Sequence, residues 1–260
     1  MTKTFFRRLA FIGLCGALNM SLLLPPSAAQ ASTESSEPLR QGLPGRRIGG
    51  GTRCLQDTTV CHTQKPLVAI TPQSNLAVTT AAYPTLLFHL PGFENEQRVE
   101  FVVYNSADEL IYDVTFDVVG ESGIASINLS DAENLAPLVI DETYKWYFSI
   151  FSEERSQDIV LDGWIQRVDL DDWAQQQELA SDFGRRLEVA NSLQKFRLLS
   201  QEAGLLHDAA LTLHQLRQAE PENEEIAAEW TQFLHTMELS EMGEEPVANL
   251  SLIPIATPES

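Results

Sequence analysis

Hydrophobic and polar positions divide this chain into two unlike halves. Between Leu76 and Val168 the apolar residues alternate with polar ones, or cluster in short runs closed by turn residues. From Asp169 onward they recur at helical spacing among Leu, Ala, Gln and Glu. The first half opens with Leu76–Pro91, LAVTTAAYPTLLFHLP. Thr79 and Thr80 suit a strand, Pro84 belongs at a strand start, edge or bulge, and Pro91-Gly92 is a turn signal. Leu86, Leu87, Phe88 and Leu90 predict a strand buried on both faces, or a run that changes sheets. Val99–Tyr104 is a second strand. In Ile111–Val118, Tyr112, Val114, Phe116 and Val118 share one face and Asp113, Thr115 and Asp117 the other, as in a half-buried strand. Ile124–Leu129 follows a turn at Gly120–Gly123. Thr143–Phe151 sets Tyr144, Trp146, Phe148 and Ile150 against Lys145, Tyr147 and Ser149. Ile159–Val168 is the last strand, with Gly163 as a candidate bulge. Strands at this spacing with no helical pattern between them predict an antiparallel β-sandwich, immunoglobulin-like, over residues 54–168.

The second half predicts helices near 172–190, 192–203, 206–219 and 222–237. Asp171-Asp172 and Ser192 are N-cap candidates, Gly204 a stop, and Pro221 a separator. The offsets from Gly204 to Leu206, Ala209 and Pro221 match a tetratricopeptide-like (TPR-like) hairpin, in which a small residue lets two helices approach. Arg197 and Ser200 depart from that pattern, so one degenerate unit is expected within the helical segment 169–240. A single unit cannot bury its faces alone and should pack on the sandwich. The fold class read from the sequence is therefore α+β.

The ends add location. Residues 1–31 read as a signal peptide: Lys3, Arg7 and Arg8, an apolar run from Leu9 to Leu24, then Ala29-Gln30-Ala31. Cleavage after Ala31, with Ala29 as the alternative site, leaves an exported chain, periplasmic or extracellular, without stable membrane insertion. Residues 32–53 form a Ser-, Pro- and Gly-rich linker. Its Gly42–Arg53 stretch lacks the lysine of a phosphate loop and follows no strand, so a flexible tether is the expectation. Cys54 and Cys61 suggest a disulfide in an exported protein. Residues 241–260 read as a disordered tail, or one laid along the surface.

Charge narrows the partners. Net charge is −20, and without residues 1–31 the chain has 14 Lys and Arg against 37 Asp and Glu, a net of −23. Such a surface repels nucleic acid and anionic membranes. No grouping reaches a named chemistry. Asp113 and Asp117 lie along a solvated face. Gly120-Glu121-Ser122-Gly123 is not a nucleophile elbow, because Ile124 holds the last position. His62 beside Cys61 has no further ligand, and His207 and His214 are seven apart, which reads as surface histidines rather than a metal pair. No cofactor is implied.

Several ordered motifs carry a resemblance. They are Gly42–Arg53 before Cys54, Asn75-Leu76 through Thr79-Thr80 and Tyr83-Pro84-Thr85, Tyr144–Phe148, Gly163–Arg167, and Glu202-Ala203-Gly204 before Asp208-Ala209. Together they resemble DUF928, a cyanobacterial family of unknown function, over roughly residues 42–240. The resemblance implies export and brings no catalytic residues. Leu205-Leu206-His207 stands where that family often has an Ile-Trp-Tyr run, a departure that weakens any contact the run makes.

The expected function is a non-enzymatic binding or scaffold role in the cell envelope with a protein partner. A carbohydrate-binding module and an enzyme with its site at the sandwich–helix junction are the alternatives. Tyr83, Tyr147, Trp164, Leu206 and His207 are the candidate contact residues.

Overall fold

The Leu76–Pro91 run changes sheets. Its first part, β2 (Leu76–Thr79), belongs to a six-stranded sheet, and its second, β3 (Thr85–Leu90), to a three-stranded one. The computed structural model describes residues 43–49, 65–131, 135–151, 158–247 and, for the backbone alone, 250–254. The signal peptide, most of the linker, and Cys54 and Cys61 lie outside the described residues.

The small sheet has the order β1-β3-β6, with β1 at Val68–Ala69 and β6 at Gly123–Asn128, and is antiparallel. The large sheet has the order β2-β8-β7-β4-β5-β9. Here β4 is Phe93–Tyr104, β5 Leu110–Gly120, β7 Thr143–Ile150, β8 Ile159–Arg167 and β9 Leu250–Pro254. It is mixed rather than purely antiparallel, because β2 runs parallel to β8. A parallel pair needs a long crossover, and the strands between Thr79 and Ile159 supply it. Within the tail read from the sequence, residues 241–260, lies β9, which pairs with β5 and covers backbone groups of that edge.

The three-stranded sheet is buried on both sides. Leu86, Phe88 and Leu90 face the large sheet and share a core with Phe101, Trp146 and Phe148. Phe88 is the hub, edge-on to Trp146 at 5.5 Å and tilted against Phe148 at 4.6 Å. Each such pair contributes about 0.5–1.5 kcal/mol beyond its burial. Leu87 and Ile124 point the other way, into a second core with Leu213, Trp230 and Phe233 of the helices. The order of layers is thus large sheet, small sheet, helices.

The helices are α1 (Leu170–Gln176), α2 (Phe183–Val189), α3 (Ser192–Arg197), α4 (Leu206–Ala219) and α5 (Glu224–Thr236). The expected 172–190 helix is two helices. Glu178 adopts φ +55, Leu179 N–H bonds to the Ala174 carbonyl at 2.9 Å and Glu178 N–H to Gln175 at 3.1 Å, a Schellman ending. Glu rather than Gly fills the left-handed position, so the usual stop signal is missing. The N-caps also sit earlier than expected. Asp169 accepts from Asp171 and Asp172, and Asn191 forms a capping box with Gln194. A π-helical turn, Leu198–Glu202, extends α3, and Gly204 at φ +65 ends it.

Gly163 is not a bulge, since β7 and β8 stay in register across it. It is a close approach, where a Cβ would meet Trp146 and Asn75.

Two of the motifs meet at a joint between layers. Asp208, at the start of α4, accepts from Thr79 Oγ1 at 2.5 Å and from Thr80 N and Oγ1 at 2.9 Å each. This clamps the helices to the end of β2. Asp208→Ala strands those three donors and should lower stability by about 2 kcal/mol in urea unfolding. A change under about 0.5 kcal/mol would show that water replaces the clamp. Glu202 pairs bidentately with Arg186 at 2.6 and 2.8 Å, and the Ala203 carbonyl accepts from Trp173 Nε1 at 2.9 Å.

Candidate binding face

One face of the large sheet has no layer over it among the described residues. Alternation decides what stands there. In β4, Val99, Phe101 and Val103 are buried, so Glu100, Val102 and Tyr104 point outward. In β7 the outward set is Lys145, Tyr147 and Ser149, and in β8 it is Val160, Asp162 and Trp164. Register aligns these sets in rows. Tyr104, Lys145 and Trp164 lie side by side, and so do Val102, Tyr147 and Asp162.

The rows build an aromatic cluster around one cation. Tyr104 meets Tyr147 edge-on at 5.9 Å. Lys145 Nζ lies 4.8 Å from the centre of the Tyr147 ring and 5.4 Å from that of Trp164. Its hydrogen bond to Tyr147, with Tyr147, Asp162 and Asp108 as electrostatic partners, outweighs burial and holds the ammonium above its ordinary range. Glu100, Val102, Tyr104, Asp108, Lys145, Tyr147 and Ser149 line a hollow of about 340 Å³. That is the low end of small-molecule sites, roughly 300–1,000 Å³. Rings for stacking beside hydroxyl, carboxylate and ammonium groups suit a polar ligand with flat apolar faces.

The predicted contact residues separate. Tyr147 and Trp164 share this face, where Trp164 Nε1 also donates to the Pro44 carbonyl at 2.8 Å. Tyr83, 37% exposed, sits at one end of the sheets, where Leu138 N–H bonds to the neighbouring Ala82 carbonyl. Leu206 is half-buried and His207 buried at the start of α4. His207 and His214 are core residues rather than surface ones, for Ala209, Ala210 and Leu213 around them turn α4 into the second core. Burial pushes both imidazoles below their ordinary value, against the nearby Asp208 for His207, and His214 falls to about 4. Tyr104, Lys145, Glu100 and Asp108 were not singled out from the sequence. The alternation in Val99–Tyr104 carried the signal for two of them.

At the junction of sheets and helices, His89 is fully buried. Its Nδ1 lies 2.7 Å from the Pro66 carbonyl and its Nε2 3.1 Å from Glu245 Oε2. Lys65 Nζ at 2.8 Å and Ser122 Oγ at 3.3 Å complete the contacts of the Glu245 carboxylate. Burial would raise that carboxyl, but Lys65 and His89 overcome it and hold it below the ordinary range. A serine relay needs the imidazole between hydroxyl and carboxylate. Here the carboxylate sits between, so the group works as a tie from β3 and the β5–β6 turn to the C-terminal segment. Among the described residues no His, Cys, Asp and Glu cluster could hold a metal ion, and no described helix is long and apolar enough to cross a membrane.

A comparison with curated proteins found no match. A family model does match, covering residues 48–247, and by it the chain belongs to DUF928, a domain of unknown function.

Proposed function

We propose that this chain is a non-enzymatic binding protein of the cell envelope and that it holds glycan on the open face of its large sheet. The observation that carries the reading is the group Tyr104, Lys145 and Tyr147, which lines the 340 Å³ hollow, with Trp164 beside Lys145. Ring faces stack on the apolar side of a pyranose, and Glu100, Asp108 and Ser149 offer partners for its hydroxyls. Those carboxylates and the net charge of −20 favour neutral over acidic glycans. A glycan array probed with the mature chain should give neutral hits, and Tyr147→Ala should weaken them about tenfold or more. An array without hits sinks the reading, as does equal binding by Tyr147→Ala.

A protein partner is the second reading, favoured by Tyr83, Val139 and Ile140, exposed by 37, 59 and 41% in adjoining loops. In either case we read the two sheets as an immunoglobulin-like sandwich and α3–α4 as a TPR-like hairpin that braces it. Export through residues 1–31 and a Cys54–Cys61 disulfide complete the proposal. The intact mass of the exported chain tests both.

A further inference from the structure

Apart from Nε2 of His207 at the start of α4, the unpaired buried nitrogens of the described helical segment are concentrated in one place. Nδ1 and Nε2 of His214, Nε1 of Trp230 and Nη1 of Arg217 all lack a protein partner among the described residues. The three side chains pack together. Arg217 Cζ lies 4.7 Å from the centre of the Trp230 ring, and the His214 and Trp230 rings are 6.2 Å apart. Buried polar atoms are nearly always paired, and a cluster of exceptions points to water, an ion or a ligand. Arg and Trp can only donate, so what this cluster lacks is mainly acceptors.

Arg217 differs from the other arginines of the segment. Arg185, Arg186 and Arg197 each hold a carboxylate. Arg217 has no carboxylate within ion-pair distance among the described residues. Its Nη2 donates to the Glu245 carbonyl at 2.8 Å, and burial lowers its guanidinium from the ordinary value. Half-buried Arg47 and Arg167 also bond backbone carbonyls, and what sets Arg217 apart is the group of unpaired nitrogens packed around it.

Arg217 also lines a cavity of about 470 Å³ where α4 turns into α5. Pro221, Ile226, Ala227, Pro246 and Val247 form apolar walls. Asn223, the N-cap of α5, borders it, so the positive end of that helix faces the same space. Glu220 stands at the rim, where it accepts from Asn223 Nδ2 at 2.7 Å. One cation beside one rim carboxylate does not suit a multiply charged phosphate. It suits a single carboxylate carried on an apolar body.

We propose that the cavity at the α4–α5 turn binds a small organic carboxylate, with the carboxylate on Arg217 and the apolar body against Ile226, Ala227 and Pro246. The site is separate from the open sheet face and does not depend on what that face binds.

The test is a titration of the full chain with 15N-labelled tryptophan, following the indole N–H signals. The probes are sodium benzoate and sodium octanoate, with sodium chloride and sodium phosphate at equal ionic strength for comparison. The expected result is a saturable shift of the Trp230 signal with both acids, each displacing the other. Arg217→Gln should abolish saturation while the Trp146 and Trp173 signals stay in place and report an intact fold. A drift that chloride reproduces would overturn the proposal, leaving ordered water as the partner of these nitrogens. Saturation that survives Arg217→Gln, or an equal response to phosphate, would overturn it too.

Discussion

Gly163→Ala is expected to destabilise the protein by about 3 kcal/mol, the upper range for overpacking a filled core. The added methyl would stand 2.7 Å from Trp146 Cε2 and 2.8 Å from Asn75 Oδ1. Neither neighbour can retreat. Trp146 is locked between Phe88 and Phe101. Asn75 holds φ +58 and donates Nδ2 to the Asp162 carbonyl at 3.0 Å. The backbone of Gly163 is itself fixed by pairing with Trp146 across β7 and β8. Gly184→Ala in α2 is the control, because its nearest new contact is 3.9 Å away. It should be neutral or stabilising by up to about 1 kcal/mol. Urea midpoints of the two variants measure the contrast. Equal midpoints would show that the Gly163 site has room the geometry denies it.

Acidification from pH 7 to pH 4 should remove about 3 kcal/mol of stability through His214 alone. Burial first, and the Arg217 charge second, lower its imidazole to about 4. The unfolded chain takes up that proton near 6.5, the ordinary value, whereas the folded chain takes it up only near 4. Between these values the unfolded state binds more protons, so stability falls as pH falls and the loss is complete below about 4. His214→Gln should flatten the slope across that window. Glu245, held low by Lys65 and His89, adds its loss only at lower pH, where its carboxylate is protonated. Urea unfolding at several pH values checks both the slope and its window. A slope unchanged in His214→Gln would place the acid sensitivity elsewhere.

Period-two alternation made the strands legible. The faces read for Ile111–Val118 and Thr143–Phe151 agree with the burial observed at Phe116, Val118, Tyr144, Trp146, Phe148 and Ile150. What stayed hidden was long-range. Nothing local says that β2 pairs parallel with β8, because that register is fixed by contacts about 88 residues apart. The α1–α2 break was missed because Glu178 does what Gly usually does. His207 and His214 read as surface residues because histidine is polar, yet tertiary packing buries both. The site was half legible. Tyr147 stood out as an aromatic on a polar face and Trp164 as a candidate contact aromatic, but their grouping with Tyr104 and Lys145 needed the strand register.

The frame that joins the layers and the open face do different work. Thr79, Thr80 and Asp208 tie the helices to the large sheet, Glu202 ties the end of α3 to α2, and Gly163 lets β8 close against Trp146. Tyr104, Lys145 and Tyr147 are positioned by that frame and contribute little to it. Hydrogen–deuterium exchange of the mature chain, with and without the strongest glycan from an array, tests this division most directly. Protection confined to peptides spanning Glu100–Tyr104 and Lys145–Ser149, with α4 and α5 unchanged, is the expected result. Protection of the helices with those strands unchanged would contradict it and move the recognition surface to the opposite side of the molecule.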